Sequence, residues 1–220
     1  MASVKIAPMK TSKNIFARTK FLTSAYKVSQ LPDDTGLEIA IAGRSNAGKS
    51  TSLNTLVGNK KLAKVSKTPG RTQLLNCFDL GDDMRLVDLP GYGFAKVPKK
   101  VKAHWQHEIN MYLQNRKSLI GVVIVMDIRH PLKEFDRQFL HWADQSGLYS
   151  HVLLNKSDKF SSGKRKATML EVKKEMLNIT RTATIQTFSG LKKEGIEELS
   201  QTLLSWYNDP SVADLGEEEE

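Results

Sequence analysis

The sequence predicts a three-layer α/β fold: a mostly parallel sheet with one antiparallel edge strand, and helices on both faces. Three observations predict it. Short strand-like apolar runs alternate with longer helix-like stretches along most of the 220 residues. The run at 120–127 is apolar almost throughout, as a strand buried on both faces of a parallel sheet must be. Two further runs are separated only by Gly81-Asp82-Asp83, a hairpin signal that turns one strand against the others.

Taken in order, residues 1–20 read as a basic flexible arm and 21–26 as an edge strand. Residues 37–42 form the first core strand, and 51–57 a helix stopped by Gly58. Residues 59–73 are rich in Lys, Thr, Pro and Gly and read as a long exposed loop, the kind that carries function. The hairpin strands are 74–80 and 84–88. A helix over about 98–115 precedes the buried strand, and another spans 132–145. Strand 151–155 is followed by a very basic segment, 156–174, leading into a helix. Strand 184–188 and a closing helix, 194–207, complete a single domain over 21–207, with an acidic disordered tail over 208–220.

Composition narrows the function classes. No stretch approaches the roughly 20 apolar residues of a membrane helix, so no membrane partner is expected. The single Cys77 excludes an internal disulfide and fits a reducing, cytoplasmic setting. Net charge is +9, and without the four Glu at 217–220 the body carries 33 basic against 20 acidic groups. Such a body attracts polyanions.

Chemistry concentrates at strand ends. Gly43-Arg44-Ser45-Asn46-Ala47-Gly48-Lys49-Ser50 is G-x-x-x-x-G-K-S between a strand and a helix, a phosphate-binding loop. Its glycines let successive N–H groups converge on one anion, and the helix N-terminus adds partial positive charge. Lys49 can reach the β- and γ-phosphates, and the Ser50 hydroxyl can ligate Mg²⁺. Asp88-Leu89-Pro90-Gly91 is D-x-x-G at a strand end, 38 residues after Ser50. There Asp88 can hold a Mg²⁺-bound water, and the Gly91 N–H can bond the γ-phosphate. Asn155-Lys156-Ser157-Asp158 is N-K-x-D. Asp158 can accept from guanine N1–H and the 2-amino group, Lys156 can lie along the base, and Asn155 can donate to its edge. Phe188-Ser189-Gly190 follows the last strand and would present backbone N–H groups to the guanine oxygen. Thr68 and Thr72 both qualify as the loop threonine that senses γ-phosphate and metal.

Together these elements look like a P-loop NTPase of the Ras-like, translation-factor type. More narrowly, residues 38–50, 67–73 and 87–96, with Met126-Asp127-Ile128-Arg129-His130-Pro131, resemble the bacterial EngB family. The resemblance covers about 20–207; the sequence departs slightly from the family's usual pattern at Asn155, where Thr is more common. It implies that Thr72 is the metal-sensing residue, flanked by Gly70, Arg71, Gln73 and Leu74 in the nucleotide-binding set, with Ser50 and Thr72 on the metal. It implies GTP/GDP and Mg²⁺ as ligands, with Lys49, Thr72 and Gly91 carrying the hydrolysis. It also implies a role in assembling the large ribosomal subunit and a link to cell division and septation. A nucleotide-gated interaction protein of the division machinery, without an RNA role, is the alternative.

Ras-like GTPases carry a water-orienting Gln after the D-x-x-G glycine; here that position is Tyr92, so slow intrinsic hydrolysis is expected. In potassium-activated GTPases with similar phosphate loops, an Asn at the place of Asn46 ligates K⁺; here Asn46 either does so or merely tolerates the loop geometry. Three basic patches are candidates for rRNA phosphates: Lys60, Lys61, Lys64 and Lys67; Lys96, Lys99, Lys100 and Lys102; and Lys164, Arg165 and Lys166. No base-reading module is legible, and the chain reads as a monomer.

Overall fold

The computed structural model describes residues 15–63, 74–92 and 99–212. The elements are β1 (Lys20–Ala25), β2 (Leu37–Gly43), α1 (Lys49–Leu56), β3 (Leu75–Gly81), β4 (Met84–Asp88), α2 (Lys99–Asn115), β5 (Leu119–Asp127), α3 (Glu134–Gln145), β6 (Tyr149–Asn155), α4 (Ser162–Met176), β7 (Thr184–Thr187) and α5 (Ile196–Tyr207). The strands form one sheet in the order β1-β3-β4-β2-β5-β6-β7.

From β4 through β7 every neighbouring pair is parallel, and β3 alone runs the other way, antiparallel to both β4 and β1. The edge is taken by β1, in agreement with the reading of 21–26 as an edge strand; it pairs along the outer side of β3, so the antiparallel hairpin strand lies one place in from the edge.

Period-two alternation sorts the apolar side chains into two layers. Ile39 and Ile41 of β2 and Val123 and Val125 of β5 face one side, under Leu53 and Leu56 of α1 and Leu203 and Trp206 of α5. Ala40, Ala42, Val122, Ile124 and Met126 face the other, under Tyr112 of α2, Leu140 of α3, and Val172 and Met176 of α4.

The ends of the domain differ from expectation. Phe16, 2% exposed, is part of the α1–α5 layer, so the arm expected over 1–20 is packed from residue 15 onward; 1–14 lie outside the described residues. Val212 is buried in the same layer, and the Tyr149 hydroxyl donates to Asp209 at 2.5 Å. The tail expected from 208 is therefore ordered to 212, and 213–220 lie outside the described residues. The basic segment expected to lead into a helix is itself helical from Ser162.

At the amino end of β2 lies a buried charge cluster. Glu38 is fully buried; Arg85 Nε stands 2.9 Å and Arg116 Nη2 2.7 Å from its Oε1, and the Tyr112 hydroxyl donates to Oε2 at 3.1 Å. Arg116 bonds both carboxylate oxygens, whereas Arg85 Nε approaches Oε1 without hydrogen-bond alignment; paired charge and the Arg116 bonds are what make the buried group tolerable. It anchors β2 to β4 and to the end of α2, at the pole away from the strand ends that carry the motifs.

Candidate nucleotide site

The carboxyl ends of β2, β4, β5, β6 and the turn after β7 converge, where ligands sit in an open parallel sheet. β2 ends at Gly43, and the chain turns through 44–48 into α1. Gly48 has φ 102°, and a Cβ there would lie 2.2 Å from Asn155 Nδ2, so both backbone and space demand glycine. Asn46 is exposed at φ 62°, a left-handed conformation that Asn tolerates better than most residues. Arg44 and Ser45 are half-buried and Ala47 buried.

Lys49, 8% exposed, points its Nζ at Asp88 Oδ1, 3.3 Å away. Asp88 is 1% exposed; burial pushes its carboxyl up, and the Lys49 ammonium opposes that. A buried carboxylate with a single cation for company is a strong local field, suited to a ligand that brings further charge. The half-buried Ser50 is the second residue of α1, directly after Lys49. The residues fit Mg²⁺: one carboxylate and one hydroxyl, the remaining ligands coming from phosphates and water. Among the described residues no group of three His, Cys, Asp or Glu gathers for a dedicated protein metal site.

After Asp88 the chain stays docked against the phosphate loop. The Leu89 N–H donates to Ile41 O at 3.0 Å, the Tyr92 N–H to Gly43 O at 3.3 Å, and the Ser45 N–H to Tyr92 O at 2.9 Å. Pro90 and Gly91 are buried in this turn, and a Cβ on Gly91 would meet Ser45 Cα and N at 3.2 Å. The Tyr92 hydroxyl donates to Asp136 Oδ1 of α3 at 2.7 Å, in an interior that pushes its pKa well above the ordinary phenol value, through burial first and the facing carboxylate second. Its ring stacks on Phe139, centroids 6.0 Å apart.

The N-K-x-D motif is wired into the same loop. Asn155 was expected on the base edge; its Nδ2 instead donates to Ala47 O at 2.9 Å, and its Oδ1 accepts from the Lys156 N–H at 2.7 Å. Lys156, at φ 62°, donates from Nζ to Asn46 O at 2.6 Å and pairs with Asp127 Oδ2 at 3.0 Å. Asp127, the last residue of β5, also receives the Arg129 guanidinium at 2.9 and 2.6 Å. Partial burial pushes the Asp127 carboxyl up, but the bonds from Arg129 and Lys156 outweigh it and hold the group well below the usual carboxylate range. Asp158 Oδ1 accepts from the Ser189 hydroxyl at 2.6 Å, and chiefly for that reason its carboxyl stays below the usual range. Asp158 is thus held ionised as a pure acceptor. The Ser157 N–H donates to Phe188 O at 3.0 Å, which joins this loop to the turn at Ser189 and Gly190.

The structure therefore gathers the phosphate loop, Asp88 to Gly91, Asn155 to Asp158 and Phe188 to Gly190. Leu74 is described and half-buried. Thr68, Gly70, Arg71, Thr72 and Gln73 lie outside the described residues, as do Lys64, Lys67 and Lys96. Lys60, Lys61, Lys164 and Lys166 are exposed. Arg165 is not a free basic group: its Nη1 donates to Glu194 at 2.6 Å and its Nε to Phe160 O at 3.0 Å. Sequence reasoning assigned no role to Asp127 or Asp136. Asp127 had a signal, a lone carboxylate closing an apolar strand; Asp136 had none.

With the geometry in place, comparison with known proteins gives a consistent picture. A family model described as "50S ribosome-binding GTPase" matches residues 38–156. The "Probable GTP-binding protein EngB" of Enterobacter sp. (strain 638) is 53% identical over 199 residues, covering 90% of this chain and 96% of that protein. The protein of the same name from Escherichia coli O157:H7 is 51% identical over 194 residues, covering 88% and 92%. Among solved structures, a "probable GTP-binding protein engB" superposes with a TM-score of 0.61 at 23% identity, covering 77% of this chain and 98% of that one. Era in complex with MgGDPNP and nucleotides of 16S ribosomal RNA superposes with a TM-score of 0.60 at 22% identity, covering 78% and 57%. At such identities the two structures speak for the fold alone.

Proposed function

Since the chain belongs to the EngB family of GTP-binding proteins, within the 50S ribosome-binding GTPases, we propose that it is a slow GTPase acting as a nucleotide switch in assembly of the large ribosomal subunit. The observation that carries the reading is the wiring of an ionised Asp158 and a left-handed Lys156 to the phosphate loop through Asn155 and Asn46. Asp158 would select guanine by accepting from its N1–H and 2-amino group, which adenine does not offer. Lys49 would neutralise the β- and γ-phosphates, and the Gly91 N–H would bond the γ-phosphate. Ser50, with Thr72 from the first switch, would hold Mg²⁺, and Asp88 would hold a Mg²⁺-bound water; the ion would supply electrostatic stabilisation of the phosphoryl group. Gly43 to Gly48 would cradle the phosphates, and Gly70 to Leu74 would belong to the same nucleotide-binding set.

Slow turnover follows from Tyr92, whose hydroxyl is committed to Asp136 and does not orient water as a glutamine does. Single-turnover assays on the free protein test this: turnover far below one per second is expected, and turnover near one per second sinks it. K⁺ held by the Asn46 side chain would add the missing positive charge beside the phosphates. Hydrolysis is then faster in K⁺ than in Na⁺, and equal rates count against it.

Ribosome binding would use the exposed Lys60, Lys61, Lys164 and Lys166 with the lysines of the two switches, acting on rRNA phosphates. The test is co-sedimentation with large-subunit particles, in GTP-analogue or GDP and across a salt series. Binding that responds to both supports the reading. Binding indifferent to both favours an interaction protein of the division machinery without an rRNA role. On the proposed reading a septation defect follows from faulty ribosome assembly.

A further inference from the structure

The Gly91-Tyr92 peptide is held from two directions. Its backbone is bonded to Gly43 and Ser45 of the phosphate loop on one side. On the other, the Tyr92 side chain reaches α3, where its hydroxyl meets Asp136 at 2.7 Å and its ring lies against Phe139 and Phe135. Asp136 is itself fixed: it is 1% exposed, and its second oxygen accepts the Lys133 N–H at 2.9 Å at the start of α3. Arg44, of the phosphate loop, is the cation whose field reaches both groups. Asp136 thus has two partners: the start of its own helix and the side chain that follows Gly91.

We propose that Asp136 is a positioning residue for the triphosphate state: by holding the Tyr92 hydroxyl it sets the Gly91 N–H at the distance from the phosphate loop that a γ-phosphate requires. Tyr92 is then the fixed end of the second switch, anchored to α3. The inference rests on the reading of Gly91 as the γ-phosphate contact. It adds that discrimination between GTP and GDP is set in part by a residue that touches neither.

The prediction concerns a ratio. GDP has no γ-phosphate, so loosening the turn leaves its affinity unchanged within about twofold. Affinity for a non-hydrolysable GTP analogue falls about five- to tenfold in Tyr92→Phe, the loss of one buried hydrogen bond. Tyr92→Phe keeps the ring and its stacking, so it preserves the fold. Asp136→Asn keeps an acceptor for the Lys133 N–H and lowers the same ratio. The double variant is no worse than the more affected single variant, because the two groups act through one bond. Titration of the full-length chain with fluorescent GDP and GTP-analogue probes measures all three. Equal losses for both ligands, additive losses in the double variant, or an unchanged ratio each overturn the proposal. Gly91→Ala serves as the reference: if it loses the ratio while Tyr92→Phe keeps it, Asp136 does not position the turn although Gly91 still meets the phosphate. If Gly91→Ala also keeps the ratio, crowding the turn against Ser45 does not alter GTP discrimination, and the proposal that the turn's position sets it is overturned.

Discussion

Glu38→Gln offers a clean separation of folding from function. The side chain is fully buried and neutralises two guanidinium groups, Arg85 at 2.9 Å and Arg116 at 2.7 Å. Gln keeps the volume and an oxygen for the Tyr112 hydroxyl, but it removes the charge that both arginines face. Arg116 retains the Asp34 carboxylate at 3.4 Å and the Pro32 and Asp33 carbonyls, and Arg85 retains the Asp33 and Thr35 carbonyls; these soften the loss without replacing the fully buried charge. Breaking a buried ion pair in this way costs about 3–5 kcal/mol. For a domain of this size each kcal/mol lowers Tm by about 2–4 °C, so a drop of about 6–20 °C is expected. Urea and thermal unfolding measure it. GDP affinity of the folded variant stays unchanged, because Glu38 begins β2 whereas the phosphate loop follows its end. A loss below about 1 kcal/mol would refute the argument that this cluster is a dry ionic anchor.

Three further perturbations report on the site and the sheet. His151, 2% exposed between β6 and β7, is held at about 4 by burial, against 6.5 for the free side chain, its Gln186 bond acting the other way. Between those values the unfolded chain takes up a proton that the folded one refuses; stability is therefore full above pH 6.5 and falls by about 3 kcal/mol toward pH 4, and His151→Gln flattens that limb in urea titrations. Gly48→Ala places a Cβ 2.2 Å from Asn155 Nδ2 on a backbone at φ 102°, so GDP affinity drops by about a hundredfold or more in fluorescence titration. Asp127→Asn releases Lys156 from its ion pair and weakens GDP and the GTP analogue alike, by about tenfold; a loss confined to one ligand would contradict its place on the base side.

What was legible in the sequence was local. The phosphate loop, D-x-x-G and N-K-x-D each announce themselves in a few consecutive residues, and strands buried on both faces announce themselves by unbroken apolar runs. Pairing across long separations was not legible. That β1 would cap β3 depends on a ladder joining residues 20–25 to 75–79, which no alternation in either strand encodes. The Asn155 bond to Ala47 spans 108 positions, and the Tyr92 bond to Asp136 spans 44. In sequence, Asp136 is one acidic residue in the first turn of an amphipathic helix, where a carboxylate needs no further reason than the helix dipole. Only the packing of α3 against the turn after β4 gives it a second partner. The ends were misjudged because a single large side chain decides them: Phe16 and Val212 find cover in a layer whose shape the sequence does not reveal.

The bonds from Asn155 to Ala47 and from Lys156 to Asn46 have a kinetic meaning. Both land on carbonyls of the phosphate loop, so the loop around the base and the loop around the phosphates share a frame. A bound nucleotide cannot leave one end first at little cost, because freeing the base disturbs the cradle beneath its phosphates. Residence time, rather than rate of capture, is then what these two contacts govern. Asn155 is buried, so a factor that hastens exchange would act on Lys156, the half-buried member of the pair, to shorten the life of the complex at both ends.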